Sequence, residues 1–201
     1  MLREMNARSD AADTLPRSPL LMSAADTALL VVDVQEKLMP LIDGGPRVIW
    51  NIRRLLDATR ALQVPVAATE QYPQGLGGTV SPLADYFDSF PDKVAFSCGA
   101  CGDVFRRFRD AGISKILVAG IEAHVCVQQT VHDLLADGLA AYVAVDAVGA
   151  RFSIDLEVAL RRMDSAGAIL TTTEAAMFEL CETAENPAFK PISKLVQEVP
   201  P

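Results

Sequence analysis

Residues 115–138, KILVAGIEAHVCVQQTVHDLLADG, decide the fold, because a strand pattern changes to a helix pattern within them. The first part, KILVAGI, is a short apolar run rich in β-branched residues, which is typical of a buried strand. The second part places apolar residues at positions i, i+4, i+7 and i+8, beginning with Val127, which is the spacing of an amphipathic helix. The stretch therefore predicts a buried strand followed at once by a helix.

The same alternation continues on both sides of this stretch. Strands are predicted at residues 28–34, 64–69, 94–97, 114–120, 140–148 and 168–173. Helices are predicted at residues 45–62, 101–112, 126–138, 153–167 and 174–182. Continuous apolar strands separated by helices indicate a parallel sheet that is covered on both faces. The fold class is therefore predicted to be α/β, a Rossmann-like three-layer α/β/α sandwich with a mostly parallel six-stranded sheet.

Composition and charge restrict the class of protein. The chain has 201 residues, of which 50% are hydrophobic and 22% charged, as in a soluble globular protein. Its net charge of −8 and its lack of a basic stripe argue against nucleic acid or an anionic membrane as a partner. No apolar run has the roughly 18 residues of a membrane span. Four cysteines are too few for a disulfide scaffold, so a cytoplasmic location is expected.

The N-terminal residues differ in character from the rest of the chain. Residues 1–25 carry charges but no continuous apolar core, so they predict a poorly ordered leader and no secretory signal. Met22 is an alternative start within this leader. Residues 26–201 contain all the predicted strands and helices and are expected to form one domain.

The predicted topology places two polar residues at one edge of the sheet. Asp33 closes the first strand, and Cys126 follows the junction after the fourth strand. Ligands bind such sheets at the carboxyl ends of the strands, where the strand order reverses. In the strand order 3-2-1-4-5-6, Asp33 and Cys126 would share one crevice. Lys93 precedes the predicted third strand, which places it at the opposite edge.

Cys126 has three interpretations from its position: a nucleophile, a metal ligand or a small buried residue. A thiol becomes nucleophilic when its pKa falls below about 8.5, and a helix N-terminus beside a cation can lower it. Most single cysteines are simply packed. At about 100° per residue, neither His124 nor His132 points at the sulfur, so both are expected to be structural. If Cys126 is activated, Asp33 is the candidate base.

Five blocks of the sequence, in order, carry a resemblance to a known family. They are LLVVDVQEKLMP, TEQYPQGLG, DKVAFSC, VAGIEAHVCVQQTVHDLLADG and FKPISKLV, spread over roughly residues 27–196. In these blocks the chain resembles the isochorismatase-like cysteine hydrolases, most closely the branch of isochorismatase-domain-containing proteins. The resemblance implies a metal-independent hydrolase that acts on a small carbonyl compound, with the C–N bond of an amide as the favoured target.

The resemblance also implies roles for individual residues. It matches Asp33, Lys93 and Cys126 to a catalytic triad, in which the thiol forms a thioester with the substrate. It implies a cis peptide bond between Ile121 and Glu122, and an oxyanion hole made by the backbone N–H groups of Glu122 and Cys126. Without the resemblance, Asp33 would be an ordinary polar strand end and Lys93 a solvated loop charge.

Four polar residues are candidates for substrate contact, with hydrogen bonding within the loops as the alternative. They are Gln35, Glu70, Gln71 and Tyr72, and the side chain of Glu122 is a further candidate. The nicotinamidase branch of the family has metal-binding histidines between its triad Asp and Lys. This chain has no histidine between Asp33 and Lys93, so no metal and no cofactor are expected.

Two other functions remain open from the sequence. Cys98 and Cys101 form a CxxC pair between a predicted strand and a predicted helix, which superficially resembles a thiol–disulfide redox site. Alternatively, the fold could serve as a catalytically silent interaction module. Members of the family usually assemble as dimers or larger oligomers, so a homo-oligomer is expected from the resemblance.

Overall fold

The central feature of the structure, a computed structural model that describes residues 15–201, is one six-stranded sheet. The strands are β1 (Thr27–Val32), β2 (Val66–Gln71), β3 (Asp92–Lys93), β4 (Lys115–Ile121), β5 (Ala140–Gly149) and β6 (Ile169–Thr171). All neighbouring strands are parallel, in the order β3-β2-β1-β4-β5-β6. The predicted strand order and fold class are therefore confirmed.

Helices cover both faces of this sheet. They are α1 (Gly45–Leu62), α2 (Pro73–Leu76), α3 (Ser81–Ala84), α4 (Gly102–Asp110), α5 (Gln128–Ala136), α6 (Ser153–Ser165), α7 (Thr173–Cys181) and α8 (Phe189–Val196). Helices α1, α7 and α8 contribute to one hydrophobic core, and α4, α5 and α6 contribute to the other. A π-helical turn over Ala123–Val127 precedes α5. None of the helices described is both long and apolar enough to cross a lipid bilayer.

The continuous apolar pattern of β1 follows from its position between the two cores. Leu29 and Val31 pack into the core under α1, whereas Leu30 and Val32 pack into the core under α5. Successive side chains of a strand point to opposite faces, so a strand that is covered on both faces must be apolar at every position. β1 is buried along its whole length.

β1 and β4 approach closely at their carboxyl ends, and this approach depends on Gly120. Its φ of +119° lies in a region that side-chain-bearing residues rarely adopt. A Cβ atom on Gly120 would lie 2.1 Å from the carbonyl oxygen of Val32. Glycine therefore sets the backbone geometry where the chain leaves β4.

The third strand differs from its prediction. The expected strand at 94–97 is absent, and the observed β3 is only Asp92–Lys93, paired with the last two residues of β2. Val94 and Phe96 are instead 81% and 53% exposed, so the apolar run here does not pack into a core. Because β3 starts level with the carboxyl end of β2, the prediction that Lys93 lies at the opposite edge of the sheet is wrong.

Part of the predicted leader contacts the sheet. Residues 1–14 lie outside the described residues. Farther along, Met22 is fully buried, the Lys115 ammonium donates to the carbonyl of Leu21 at 2.8 Å, and the Tyr142 hydroxyl donates to that of Leu20 at 2.7 Å. The packed part of the chain thus begins before residue 26, the predicted start of the domain.

Candidate active site

Three side chains from separate strand ends meet at the carboxyl edge of the sheet. Asp33 directly follows β1, Lys93 ends β3, and Cys126 lies in the turn after β4. The Lys93 Nζ lies 2.6 Å from the Asp33 Oδ2, and both side chains are almost completely excluded from solvent. Asp33 and Lys93 are 60 positions apart in the sequence, and Lys93 and Cys126 are 33 positions apart, but all three share one buried site.

Asp33 has an unusual backbone conformation and a fully satisfied carboxylate. Its φ of +52° lies in the left-handed region, which is uncommon for a residue other than glycine and recurs at functional sites. Its N–H donates to the carbonyl of Thr69, so the residue still belongs to the edge of the sheet. The Thr69 hydroxyl lies 2.8 Å from Oδ1, and Lys93 donates to Oδ2.

Lys93 uses its ammonium group to tie the site together. Besides Asp33, it donates to the Gln71 Oε1 at 2.8 Å and to the carbonyl oxygen of Phe96 at 2.9 Å. Burial is the largest influence on the pKa of Lys93 and acts to lower it, while the negative charge of Asp33 and the hydrogen bond to its carboxylate act to raise it. Together with smaller contributions they leave this pKa above its ordinary value. The amine is therefore an ammonium ion, and it lies directly against the Asp33 carboxylate.

Cys126 is a buried thiol that faces the Asp33 carboxylate. Burial raises the pKa of Cys126, and the charge of Asp33 raises it further, while the charge of Lys93 acts in the opposite direction. The interaction of the thiol with the neighbouring Asp33 side chain also raises this pKa. This environment therefore does not lower the pKa of Cys126, as a helix N-terminus beside a cation would. The site excludes water and contains a carboxylate, and both raise the pKa of the thiol.

The junction between β4 and α5 contains the cis peptide bond that the resemblance implies. It joins Ile121 to Glu122. The Glu122 carbonyl accepts hydrogen bonds from the N–H groups of Val125 and Val127 at 3.1 and 3.2 Å, which fixes the turn around Cys126. Among the described residues, the N–H of Glu122 donates to no other backbone group.

The four candidate substrate residues divide into two groups. Gln35 hydrogen bonds through its side chain to both backbone groups of Gln71, and Glu70 accepts from the N–H and the hydroxyl of Thr79. Gln71 accepts from Lys93, as described above. These contacts favour the alternative of hydrogen bonding within the loops for Gln35, Glu70 and Gln71. Tyr72 is 53% exposed and remains available to a substrate.

The two histidines lie apart from this polar cluster. The His124 Nε2 is 3.8 Å from a carboxylate oxygen of Asp155 on α6, so its ring is turned toward that helix. His132 is on α5. Cys126 interacts with Asp33, so Asp33 and neither histidine is the candidate base. Within residues 15–201, no three His, Cys, Asp or Glu side chains are grouped to hold a metal ion.

Three buried residues behind the site were not predicted to belong to it. Thr69 contacts Asp33, Cys98 lies next to Thr69, and Thr130 donates to the carbonyl oxygen of Cys126 at 2.7 Å. The position of Thr69 at the carboxyl end of β2 was the available signal, since polar residues at that edge can reach the site. No spacing in the sequence indicates that Cys98 belongs with the two threonines.

Known proteins resemble this chain in sequence and structure. The isochorismatase domain family model matches residues 27–175. Isochorismatase domain-containing protein 2 of Homo sapiens is 38% identical, over 87% of this chain and 85% of that protein. The secreted isochorismatase effector Isc1 of Phytophthora sojae is also 38% identical, over 86% and 85%. The structure of MAR1 ribonuclease from Caenorhabditis elegans superposes with a TM-score of 0.83 at 40% identity, covering 90% of this chain and 94% of that one.

Proposed function

Because the chain belongs to the isochorismatase family, we propose that it is a cysteine hydrolase that cleaves a small carbonyl compound, specifically the C–N bond of an amide. The observation that carries the proposal is the buried Asp33–Lys93 ion pair against the thiol of Cys126. Burying an ion pair has a large desolvation penalty, so a buried pair contributes little net stability to a fold. An acid, a cation and a thiol in one dry crevice are instead the parts of nucleophilic catalysis.

The proposed reaction begins with the protonated thiol. As the Cys126 sulfur attacks the carbonyl carbon, the S–H proton passes to the Asp33 carboxylate. This order suits the raised pKa of Cys126, because the proton leaves only as the C–S bond forms. Lys93 holds the carboxylate in place and balances its charge before the transfer.

The tetrahedral intermediate then collapses and water completes the cycle. Asp33 returns the proton to the leaving nitrogen as the C–N bond breaks, which leaves a thioester on Cys126 and a free amine. Asp33 next takes a proton from water as the water oxygen attacks the thioester. The acid is released, and the proton returns to the sulfur.

The turn after β4 is proposed to stabilise the negative oxygen of these intermediates. The backbone N–H groups of Glu122 and Cys126 are its proposed donors. Support comes from the Glu122 N–H, which has no backbone acceptor among the described residues, and from its place in the same turn as the thiol. A donor of this kind is worth roughly 3–4 kcal/mol in other enzymes.

The alternative of a redox dithiol is disfavoured. Catalytic redox thiols have a lowered pKa. In this chain burial raises the pKa of Cys98 to about 11, with the charge of Asp33 adding to the effect, and burial also raises the pKa of Cys101. The Cys98 sulfur contacts the Thr69 hydroxyl and no carboxylate, so it lacks the adjacent base that Asp33 provides for Cys126. A silent interaction module is also disfavoured, because such a module has no need of a buried Asp–Lys–Cys cluster.

Cleavage of RNA is a second candidate, favoured by the 40% identity to the protein described as MAR1 ribonuclease. The net charge of −8 argues against it, because binding to phosphates depends on Lys and Arg side chains. Because of the identity to MAR1 ribonuclease, RNA is tested together with amides.

The test compares wild type, Cys126→Ala and the control Cys101→Ala on a panel of small amides and on a single-stranded RNA. We expect Cys126→Ala to lose amide hydrolysis by at least about 1,000-fold, with a thermal stability near that of the wild type. Cys101→Ala should keep its rate. If Cys126→Ala hydrolyses amides at the wild-type rate, Cys126 is not the nucleophile. RNA cleavage by the wild type without amide hydrolysis would favour a ribonuclease.

A homo-oligomer in the cytoplasm is proposed as the working state. Support comes from the exposed apolar side chains at the carboxyl edge of the sheet, which include Tyr72, Val94, Phe96 and Phe152. Sedimentation velocity at two concentrations tests the assembly, and cell fractionation tests the location. One relative is described as a secreted effector, so fractionation must include the medium.

A further inference from the structure

A buried chain of hydrogen bonds runs behind the site and joins the base to the nucleophile. The Thr69 hydroxyl is 2.8 Å from the Asp33 Oδ1 and 3.3 Å from the Cys98 sulfur. The N–H of Cys98 donates to the Thr130 hydroxyl oxygen at 2.9 Å, and that hydroxyl donates to the Cys126 carbonyl at 2.7 Å. Cys98 is the link between the two halves.

The number of protons fixes the direction of each bond near Asp33. Thr69 has a single hydroxyl proton. The Asp33 carboxylate is paired with Lys93 and can only accept, so Thr69 donates to it. The hydroxyl oxygen of Thr69 is then left as an acceptor, and Cys98 must supply the proton in their contact.

The state of the Cys98 thiol agrees with this direction. Burial and the negative charge of Asp33 raise the pKa of Cys98 to about 11, so the sulfur carries its proton at neutral pH. The side chain is fully buried, and the sulfur of Cys98 is free of any disulfide. Cys98 therefore donates its S–H to one threonine and its N–H to the other.

We propose that Cys98 is a positioning residue, whose S–H holds the Thr69 hydroxyl so that Thr69 fixes the Asp33 carboxylate against Cys126. The inference rests on the proposed function, since positioning matters only if Asp33 is the base. It gives the first cysteine of the CxxC pair a role as a hydrogen-bond donor and leaves Cys101 without one. The role requires a donor at this position and does not require a sulfur atom.

The test replaces the donor at either end of the contact. Cys98→Ala and Thr69→Val each remove one group, and we expect kcat to fall about tenfold, as for the loss of one buried hydrogen bond, with a smaller change in KM. Cys98→Ser and Thr69→Ser keep a donor and should stay within about threefold of the wild type. Cys101→Ala is the matched control and should be unchanged.

A second readout separates this inference from the proposed function. The rate at which iodoacetamide alkylates Cys126 is measured against pH by peptide mass mapping, which needs no substrate. Thr69→Val should shift this profile to higher pH, because the Asp33 carboxylate without its hydrogen-bond donor repels the thiolate more strongly. Cys98→Ala should shift it in the same direction, because the Thr69 hydroxyl is then no longer held against the carboxylate. Cys98→Ser and Cys101→Ala should superpose on the wild type. This comparison supports or refutes the inference even if no amide is hydrolysed.

Two results would overturn the inference. One is Cys98→Ala with the kcat and the alkylation profile of the wild type. The other is Cys98→Ser that fails as completely as Cys98→Ala while folded, which would assign the role to the sulfur. If Cys98→Ala does not fold, the pair Thr69→Val and Thr69→Ser decides the question by the same two measurements.

Discussion

Asp33 has opposite effects on the two groups that it contacts. Its negative charge raises the pKa of Lys93 and also raises the pKa of Cys126, so it favours an ammonium ion on one side and a protonated thiol on the other. The resting site therefore holds one carboxylate, one ammonium and one neutral thiol. A carboxylate that lies beside a protonated thiol is positioned to take the thiol proton during attack.

This arrangement predicts that Asp33→Asn separates thiol reactivity from catalysis. The substitution removes the charge that raises the pKa of Cys126 and leaves Lys93, which lowers it. We expect alkylation of Cys126 to reach its plateau at lower pH than in the wild type, while amide hydrolysis is lost with the base. Iodoacetamide alkylation against pH, with peptide mass mapping, measures the first effect.

Two further variants are needed to interpret that measurement. Asp92→Asn changes an exposed carboxylate next to Lys93 and should leave the alkylation profile in place. Lys93→Met should move the profile in the opposite direction, to higher pH. Circular dichroism checks the fold of each variant, since removing one partner of a buried pair destabilises by about 3–5 kcal/mol. An Asp33→Asn profile at higher pH than the wild type would refute the described electrostatics.

At the scale of elements, the junction between β4 and the π-helical turn determines where the nucleophile lies. β4 pairs with β1 up to Gly120, and its register with β5 shifts between Val118 and Gly120. The close approach of Gly120 to Val32 brings the ends of β1 and β4 together. Asp33 and the turn with Cys126 begin just beyond these ends, so the glycine sets the distance between base and nucleophile.

Gly120→Ala is expected to destabilise the fold by about 3 kcal/mol or more, from strained backbone and from overpacking. The clash would be with backbone atoms of Val32, which cannot rotate away as a side chain can. Gly102→Ala is the matched control, because a Cβ at the start of α4 meets nothing within 4 Å; it should change stability by less than about 1 kcal/mol. Urea denaturation measures both. Equal midpoints for the two variants would contradict the close approach.

At the scale of the whole molecule, the segment before β1 closes the edge of the sheet away from the site. Arg17 donates to the carbonyl oxygens of Met22 and Glu179, and Glu179 accepts from the N–H of Met22. These bonds attach the segment to α7. Lys115 at the start of β4 and Tyr142 in β5 are held by the same segment. The segment therefore contacts elements that lie more than 90 residues later in the chain.

A chain that starts at Met22 should consequently be less stable than one that starts at Leu15. The shorter chain loses the acceptors of Lys115 and Tyr142, and with them a free energy of unfolding of about 2 kcal/mol in total. Urea denaturation of the two chains measures the difference. Tyr142→Phe should destabilise the longer chain more than the shorter one; equal effects in both would show that the hydroxyl contact contributes nothing.

Much of the fold was predictable because its signal is local. Helix α1 was predicted at its observed bounds, and β1, β4 and β5 were displaced by no more than two residues at either end, since buried strands and amphipathic helices have distinct apolar periods. The prediction of a strand at 94–97 was wrong, because a short apolar run does not show whether its side chains will pack into a core. The lengths of β2 and β3, which place Lys93 at the correct edge, depend on pairing between distant residues.

The α/β architecture, the family and the residue types that the triad requires can all be inferred from the sequence. Which side chains meet depends on the tertiary structure. It joins Lys93 to Asp33 and places Thr69, Cys98 and Thr130 behind the site. It also reversed the expected shift in the pKa of Cys126. The physical reason is that periodicity is set by the nearest turns of the chain, whereas burial, charge and hydrogen bonding depend on the distances between groups that only folding brings together.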